Sequence, residues 1–410
     1  MKLATLILFL FPSVYFAQYK GTGSVTKGKG NTLKSPLYSC TGGRPTALGS
    51  IVSTDNENWI VPASVNFDSS GMPFAPDLYN QCNGSAYAGT AQALAAFKVS
   101  DIVTIDADGE LITAYVFADN YFEMFINGKP VGKDKVPFTP FNSSLLKFRV
   151  KRPFTIAMLL VDWEESLGLG TEANGGFAYH PGDGGMVAVF KDTLNKIIAI
   201  TNSEWKAQTY YTAPIKDLKC PTEQGNLRLS GQCNVADEND GSQWYALHWN
   251  RPDFWMNADF DDANWPAAYE YTNTQIGVDN KPAYTNFTDV FDASGSDAKF
   301  IWSSNLILDN ELLVRYTVPG ALQLEKIFKG DIGFKVFPNP ADKTLCFALE
   351  DPETSGDLKC ELLNLQGVRV AQFNVQQNQL SLSSIASGMY VVKMTIQNHT
   401  GYQYLVVQHP

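Results

Sequence analysis

Three carboxylates, Asp162, Glu164 and Glu165, close the apolar run in FTIAMLLVDWEESLG. Hydrolysis of a glycosidic bond needs two acids facing across a cleft, roughly 5–10 Å apart, with one pKa raised by its surroundings. Asp162 and Glu164 are the pair such chemistry would use. A solvated cluster at the end of a strand is the plainer reading of the same residues. Trp163 beside them could stack on a sugar ring or fill a core. Tyr121, Asn127, Tyr179 and Trp302 complete the aromatic and amide groups from which a sugar platform could be built.

Other acids suggest a hard cation. Asp106, Asp108 and Glu110 in DADGE alternate before and after a glycine turn, as in part of a calcium loop, but the further ligands of a full EF-hand are missing. Asp237, Asn239 and Asp240, and likewise Asp259, Asp261 and Asp262, have similar character. The default for each group is a turn in which Asp accepts from its own backbone. Structural calcium is the only cofactor the sequence suggests. His180 and Asp183 in YHPGDGG could supply two ligands or line a pocket rim. The remaining histidines, His248, His399 and His409, belong to no H-E-x-x-H string. Nor is there a G-x-S-x-G, P-loop or G-x-G-x-x-G string.

The chain has 410 residues, a formal charge of −11 and no Lys/Arg-rich run. That balance argues against nucleic acid or an anionic membrane surface as partner. Residues 1–17 read as a secretory signal: Lys2, then an apolar run from Leu3 to Phe11 that is shorter than the roughly 20 residues a membrane span requires. Ala17 precedes the expected cleavage. The six cysteines form an early, a central and a late pair, and no C-x-x-C spacing occurs. Pairing between neighbours is expected: Cys40 with Cys82, Cys220 with Cys233 across a polar loop, and Cys346 with Cys360 across a hairpin centred on Glu353.

An all-β chain must position these groups. Residues 18–100 read as a loop-rich N-terminal layer, with one short helix in AQALAAF. Residues 101–319 read as a jelly-roll-like β-sandwich body of one or two units. Its period-two pattern predicts strands Leu111–Ala118 and Tyr121–Asn127, with a turn on Asn127-Gly128. Similar sequences around Trp205 and Trp265 raise the question of two related units. A linker, 320–333, leads to a small Ig-like sandwich at 334–410. There Tyr390, Val392, Met394 and Ile396 alternate with polar or outward residues. Pro338 and Pro340 cannot donate to a ladder, so the first strand should lie at an edge.

The last domain resembles the C-terminal sorting domain of cargo of the type IX secretion system of Bacteroidetes. VFPNPADKTL, with Pro338, Asn339 and Pro340, carries the likeness, as do LLNLQGVRV with Gly367, and LSLSSIASGMYVVKM with Gly388. The resemblance implies Sec export to the periplasm, then outer-membrane passage by the type IX machinery. Release or attachment to surface lipopolysaccharide would follow. The body is similar to the secreted region that accompanies YHYH-domain proteins, although no Tyr-His-Tyr-His string occurs. ADNYFEMFINGKPVG and FDDANWPAA look locally like galactose-binding-like jelly rolls. These residues lead us to expect a secreted or cell-surface, non-catalytic binding protein for carbohydrate. The alternatives are a polysaccharide hydrolase and an adhesin or structural surface protein.

Overall fold

The computed structural model describes residues 19–41, 43–82, 84–138, 141–173, 176–293, 295–320, 333–349, 358–364, 369–374, 379–396 and 399–409. The signal segment, Gly367, Glu353 and most of the linker lie outside these residues. The chain divides into two compact units, Met1–Gly320 and Ala321–Pro410.

The run FTIAMLLV forms the strand Phe154–Val161, buried along its whole length. Its even-numbered residues, Phe154, Ile156, Met158 and Leu160, enter one core. Ala157, Leu159 and Val161 enter another on the opposite face. Successive side chains on a strand point to opposite faces, so an unbroken apolar run marks a strand covered on both sides. This strand is internal to a seven-stranded antiparallel sheet. The order is Ser24–Lys27, Tyr245–His248, Lys206–Ile215, Asp309–Val318, Phe154–Val161, Tyr121–Ile126 and Lys129–Lys133.

A nine-stranded sheet packs against it through the first core. Its main path runs Tyr269–Tyr271, Phe300–Trp302, Gly185–Lys191, Glu110–Asp119, Ser143–Val150, Asp77–Asn80 and Ser85–Ala86. The two sheets make one sandwich. Trp205 and Trp265 therefore belong to a single unit, in which Lys206 and Ala267 form a bridge. Within residues 18–100, Ser24–Lys27, Asp77–Asn80 and Ser85–Ala86 join the two sheets, while Asn31–Lys34, Leu48–Val52 and Asn58–Val61 form a three-stranded sheet of their own. The expected hairpin is present, with Asn127 and Gly128 both at positive φ (49° and 79°) and Lys129 opposite Ile126.

The second unit is a small sandwich of a three-stranded sheet (Phe334–Phe337, Thr344–Leu349, Gln379–Ser381) and a four-stranded sheet (Arg369–Asn374, Leu358–Leu363, Gly388–Ile396, His399–Val407). Tyr390, Val392 and Met394 share its core with Phe334, Leu345 and Leu405. Phe334–Phe337 is an edge strand, as the prolines require. Asn339 explains the motif between them. Its Nδ2 donates to the Tyr404 carbonyl (2.9 Å) and its Oδ1 accepts from the Val406 amide (2.8 Å), tying the proline turn to the last strand.

Disulfides join Cys40 to Cys82 and Cys220 to Cys233. Cys346 and Cys360 are both free. Their strands belong to different sheets and form no hairpin: Cys346 stands opposite Phe337 and Gln379, whereas Cys360 stands opposite Phe373 and Met394. Equal spacing about Glu353 was therefore not a register.

Candidate functional site

At one end of the body sandwich the last residue of one strand meets the first residue beyond another. Asp119 ends Glu110–Asp119 in the nine-stranded sheet, and Asp162 follows Phe154–Val161 in the seven-stranded sheet. The Asn120 amide donates to the Val161 carbonyl (3.2 Å), and Asn120 Oδ1 accepts from the Trp163 amide (2.6 Å), so the two ends are fastened together. A short hairpin follows, pairing Thr171–Glu172 with His180–Pro181. Gly182 and Asp183 lead from it into Gly185–Lys191, where Gly185 pairs with Asp119. Sheet order alone therefore gathers Asp119, Asp162, Glu172 and Asp183.

Asp162 is only 5% exposed. Burial raises its pKa well above the usual range, and Asp119, Asp183, Glu172 and Glu164 add to the rise. A Cβ on Gly182 would fall 3.2 and 3.3 Å from the two Asp162 oxygens, so a side chain there would crowd the carboxylate. Asp119 is buried too and is raised by burial, then by Asp183 and Glu172; Lys281 and Arg44 pull it down. It accepts from Asn120 Nδ2 at 2.7 Å. Asp183 is half-buried and is pushed up to about 6 by burial first, then by Glu172, against His180 and Lys281. Glu172 is raised by burial and paired with Arg44. Among the described residues, Trp163 Nε1 and Thr171 Oγ1 are buried without a partner.

Glu164 has a different role. Its carboxylate accepts from the amides of Gly168 (2.6 Å) and Gly170 and from the Tyr211 hydroxyl (3.0 Å). It is the internal frame of the 164–171 loop, and burial still pushes it up to about 7. The expected Asp162–Glu164 pair is therefore not a pair. Asp162 feels the charges of Asp119 and Asp183 ahead of that of Glu164, whose carboxylate holds the loop. Glu165 accepts from the Ala173 amide (2.7 Å).

The expected aromatic platform is dismantled as well. Tyr121, Trp163 and Trp302 are 0%, 2% and 0% exposed, and the first two pack edge to face at 5.4 Å. Each sits on a strand or strand end whose face is covered, which turns it into the core. Asn127 is a turn residue whose Oδ1 accepts from the Thr155 amide (2.8 Å). Tyr179 alone keeps an open position, near Trp244 (6.2 Å between ring centres) and under Lys29. Phe177 beside it is exposed, and His180 Nδ1 meets Asp237 at 2.7 Å.

The acidic turns take separate partners. Asp106 accepts from the Lys151 amide (2.9 Å), Asp108 pairs with Lys151 Nζ (2.6 Å) and Glu110 with Arg152. Strand alternation and base pairing thus split the calcium-like trio. Asp240 accepts from Ser242 and Asp261 from the Ala263 amide, while Asp262 pairs with Arg315. Among the described residues no group of three or more His, Cys, Asp or Glu is placed to hold a metal ion. His248 is buried between Trp59 and Tyr211, bonded to Thr26 Oγ1 (2.9 Å), and pushed down to about 3 by burial.

Raised acids have a measurable consequence. Asp134 is 1% exposed and pushed up to about 8 by burial, although Val136 and Asn142 donate to it. With Asp119, Asp162 and Glu164 it binds more protons folded than unfolded from roughly pH 4 up to its folded value, so stability falls as pH rises through that window. His248 acts in the opposite direction, but only below its usual value near 6.5. The melting temperature should therefore drop by several degrees between pH 6.5 and pH 8 in a thermal scan. Asp134→Asn should flatten that slope. A melting temperature that rises over this interval would refute the assignment.

Residues 335–408 match the family model of the secretion system C-terminal sorting domain. That segment is a type IX secretion sorting domain, and it marks the chain for export to the cell surface or the extracellular space, with the secretion machinery as a partner. No helix among the described residues is long and apolar enough to cross a membrane. No curated protein matches the chain significantly. Among solved structures, a biofilm-associated protein BSP domain is similar at 8% identity over 74% of this chain and 76% of that one, with TM-score 0.17. Faecalibacterium prausnitzii β-glucuronidase is similar at 13% identity over 97% and 47%, TM-score 0.17. The latent PorU dimer of Porphyromonas gingivalis follows at 10% identity over 74% and 30%, TM-score 0.17. This chain spans less than half of the latter two, and the scores are too low for any of the three to speak to function.

Proposed function

We propose that this protein is a secreted or surface-held binding protein whose body takes a carbohydrate at the strand ends around Asp162 and Asp183. One observation carries the reading: Asp162 is a buried carboxylate at the strand ends, its pKa raised by burial and by the neighbouring Asp119 and Asp183. Sugar hydroxyls are donors of the right kind, and two neighbouring carboxylates can each accept from one. Phe177 and Tyr179, on the adjoining hairpin, offer apolar faces for the ring. Sec export by a bacterium of the Bacteroidetes and retention on surface lipopolysaccharide belong to the same reading.

Hydrolysis is the rival, favoured by one feature: Asp119, Asp162 and Asp183 all have raised pKa values, as an acid catalyst requires. A glycan array probed with the mature protein, with and without calcium, followed by product analysis of any bound polysaccharide, separates the readings. Saturable binding without products is the expected result. Products that disappear in Asp162→Asn would establish the hydrolase, and the absence of binding to any glycan would leave an adhesin.

A further inference from the structure

Lys133 ends the edge strand of the seven-stranded sheet, yet it is only 1% exposed. It stands directly opposite Glu123, which is also 1% exposed. Asn66, on the loop that follows the Asn58–Val61 strand, donates its Nδ2 to Glu123 Oε2 (2.8 Å) and its main-chain N–H to Oε1. The Tyr121 hydroxyl also donates to Oε1 (3.0 Å). Lys133 Nζ donates to the main-chain oxygens of Asn66 (2.6 Å) and Ser69 (2.9 Å) and lies 4.7 Å from the centre of the Phe74 ring. Phe67 packs on both Phe74 and Tyr121, at 5.2 and 6.1 Å between ring centres. An amine, a carboxamide and a carboxylate thus converge beside an aromatic wall.

We propose that Lys133 Nζ and Asn66 Cγ join in an intramolecular isopeptide bond, with Glu123 moving the protons. Nζ already touches Asn66 at its main-chain oxygen (2.6 Å), and the step requires the lysine end to turn from there towards the side-chain carbon. Glu123 takes a proton from the ammonium, and the free amine adds to Cγ. The tetrahedral carbon then expels Nδ2, which leaves as ammonia after receiving protons through Glu123. One N–C bond forms, one breaks, and no oxidant or cofactor is needed. Burial lowers the Lys133 pKa, favouring the nucleophilic amine, while Glu123 and Asp68 oppose it. The product ties the 64–72 loop to the edge strand.

The test is a peptide map of the full chain recovered from outside the producing cell, digested with trypsin and sequenced by mass spectrometry. The expected result is a branched peptide joining the Asn66 and Lys133 segments, lighter than their sum by one ammonia, with cleavage after Lys133 abolished. Lys133→Arg and Glu123→Gln should lose the branch. Wild-type protein cleaved after Lys133, with Asn66 in an unbranched peptide as Asn or Asp, would overturn the proposal. The wild-type map decides even if a variant fails to fold.

Discussion

A chain truncated after Gly320 is expected to disappear from the cell surface and medium while its body still accumulates inside the cell envelope. The body's cores are built from residues before 320, and the sorting domain has its own core. Removing the second unit therefore deletes an address and leaves the first intact. Fractionation and immunoblotting should show the extracellular signal fall to background. Undiminished surface display of the truncated chain would contradict the role of residues 335–408. Asn339→Ala is the finer probe. It removes two hydrogen bonds to the last strand, each contributing about 0.5–1.5 kcal/mol, and should lower surface display partially.

The second large effect is expected at Arg315. Its side chain is buried within the seven-stranded sheet and reaches across to the 253–265 loop. There the guanidinium pairs with Asp262 (2.7 Å), donates to the carbonyls of Trp255 and Phe260, and lies over the Phe260 ring (5.1 Å). A planar fork can meet several acceptors at once, and an ammonium cannot. Arg315→Ala leaves Asp262 and at least one buried carbonyl without a donor. Breaking such a buried network typically costs about 3–5 kcal/mol. The denaturation midpoint should fall by a matching amount, with Arg315→Lys recovering only part. A loss below about 1 kcal/mol, within the range of ordinary surface substitutions and salt bridges, would show that the loop is held by its apolar contacts instead.

How far the sequence went is visible in particular residues. The Asn127-Gly128 turn and the edge position before Pro338 were legible because they follow from local backbone chemistry. Continuous apolar runs such as FTIAMLLV identified strands, but not that both faces would be covered, since that depends on what packs from elsewhere. For Trp163 the choice between a sugar ring and a core stayed open for that reason, and both Trp163 and Trp302 went to the core: exposure is a property of the fold. Asp162 was singled out as a weak candidate, whereas Asp119 beside it was not. Asp119 lies 43 positions earlier on the other sheet, and only strand order brings the two together. The signal that could have raised Asp119 was an acid ending the apolar run AYVFAD, just as Asp162 ends LLVD. The Cys346–Cys360 pairing failed because symmetry about a turn does not specify strand register when the strands part into separate sheets.

The central claim is that Asp162 and Asp183 hold the ligand while Glu164 only frames the loop beneath them. Its most direct test is calorimetric titration of the best-binding glycan into wild-type protein, Asp162→Asn, Asp183→Asn and Glu164→Gln, with folding checked by circular dichroism. Asp162→Asn and Asp183→Asn should each weaken binding by up to about tenfold, the equivalent of one lost hydrogen bond. Glu164→Gln should lower the melting temperature and leave the affinity of the folded protein near wild type. Unchanged affinity in both aspartate variants would contradict the account.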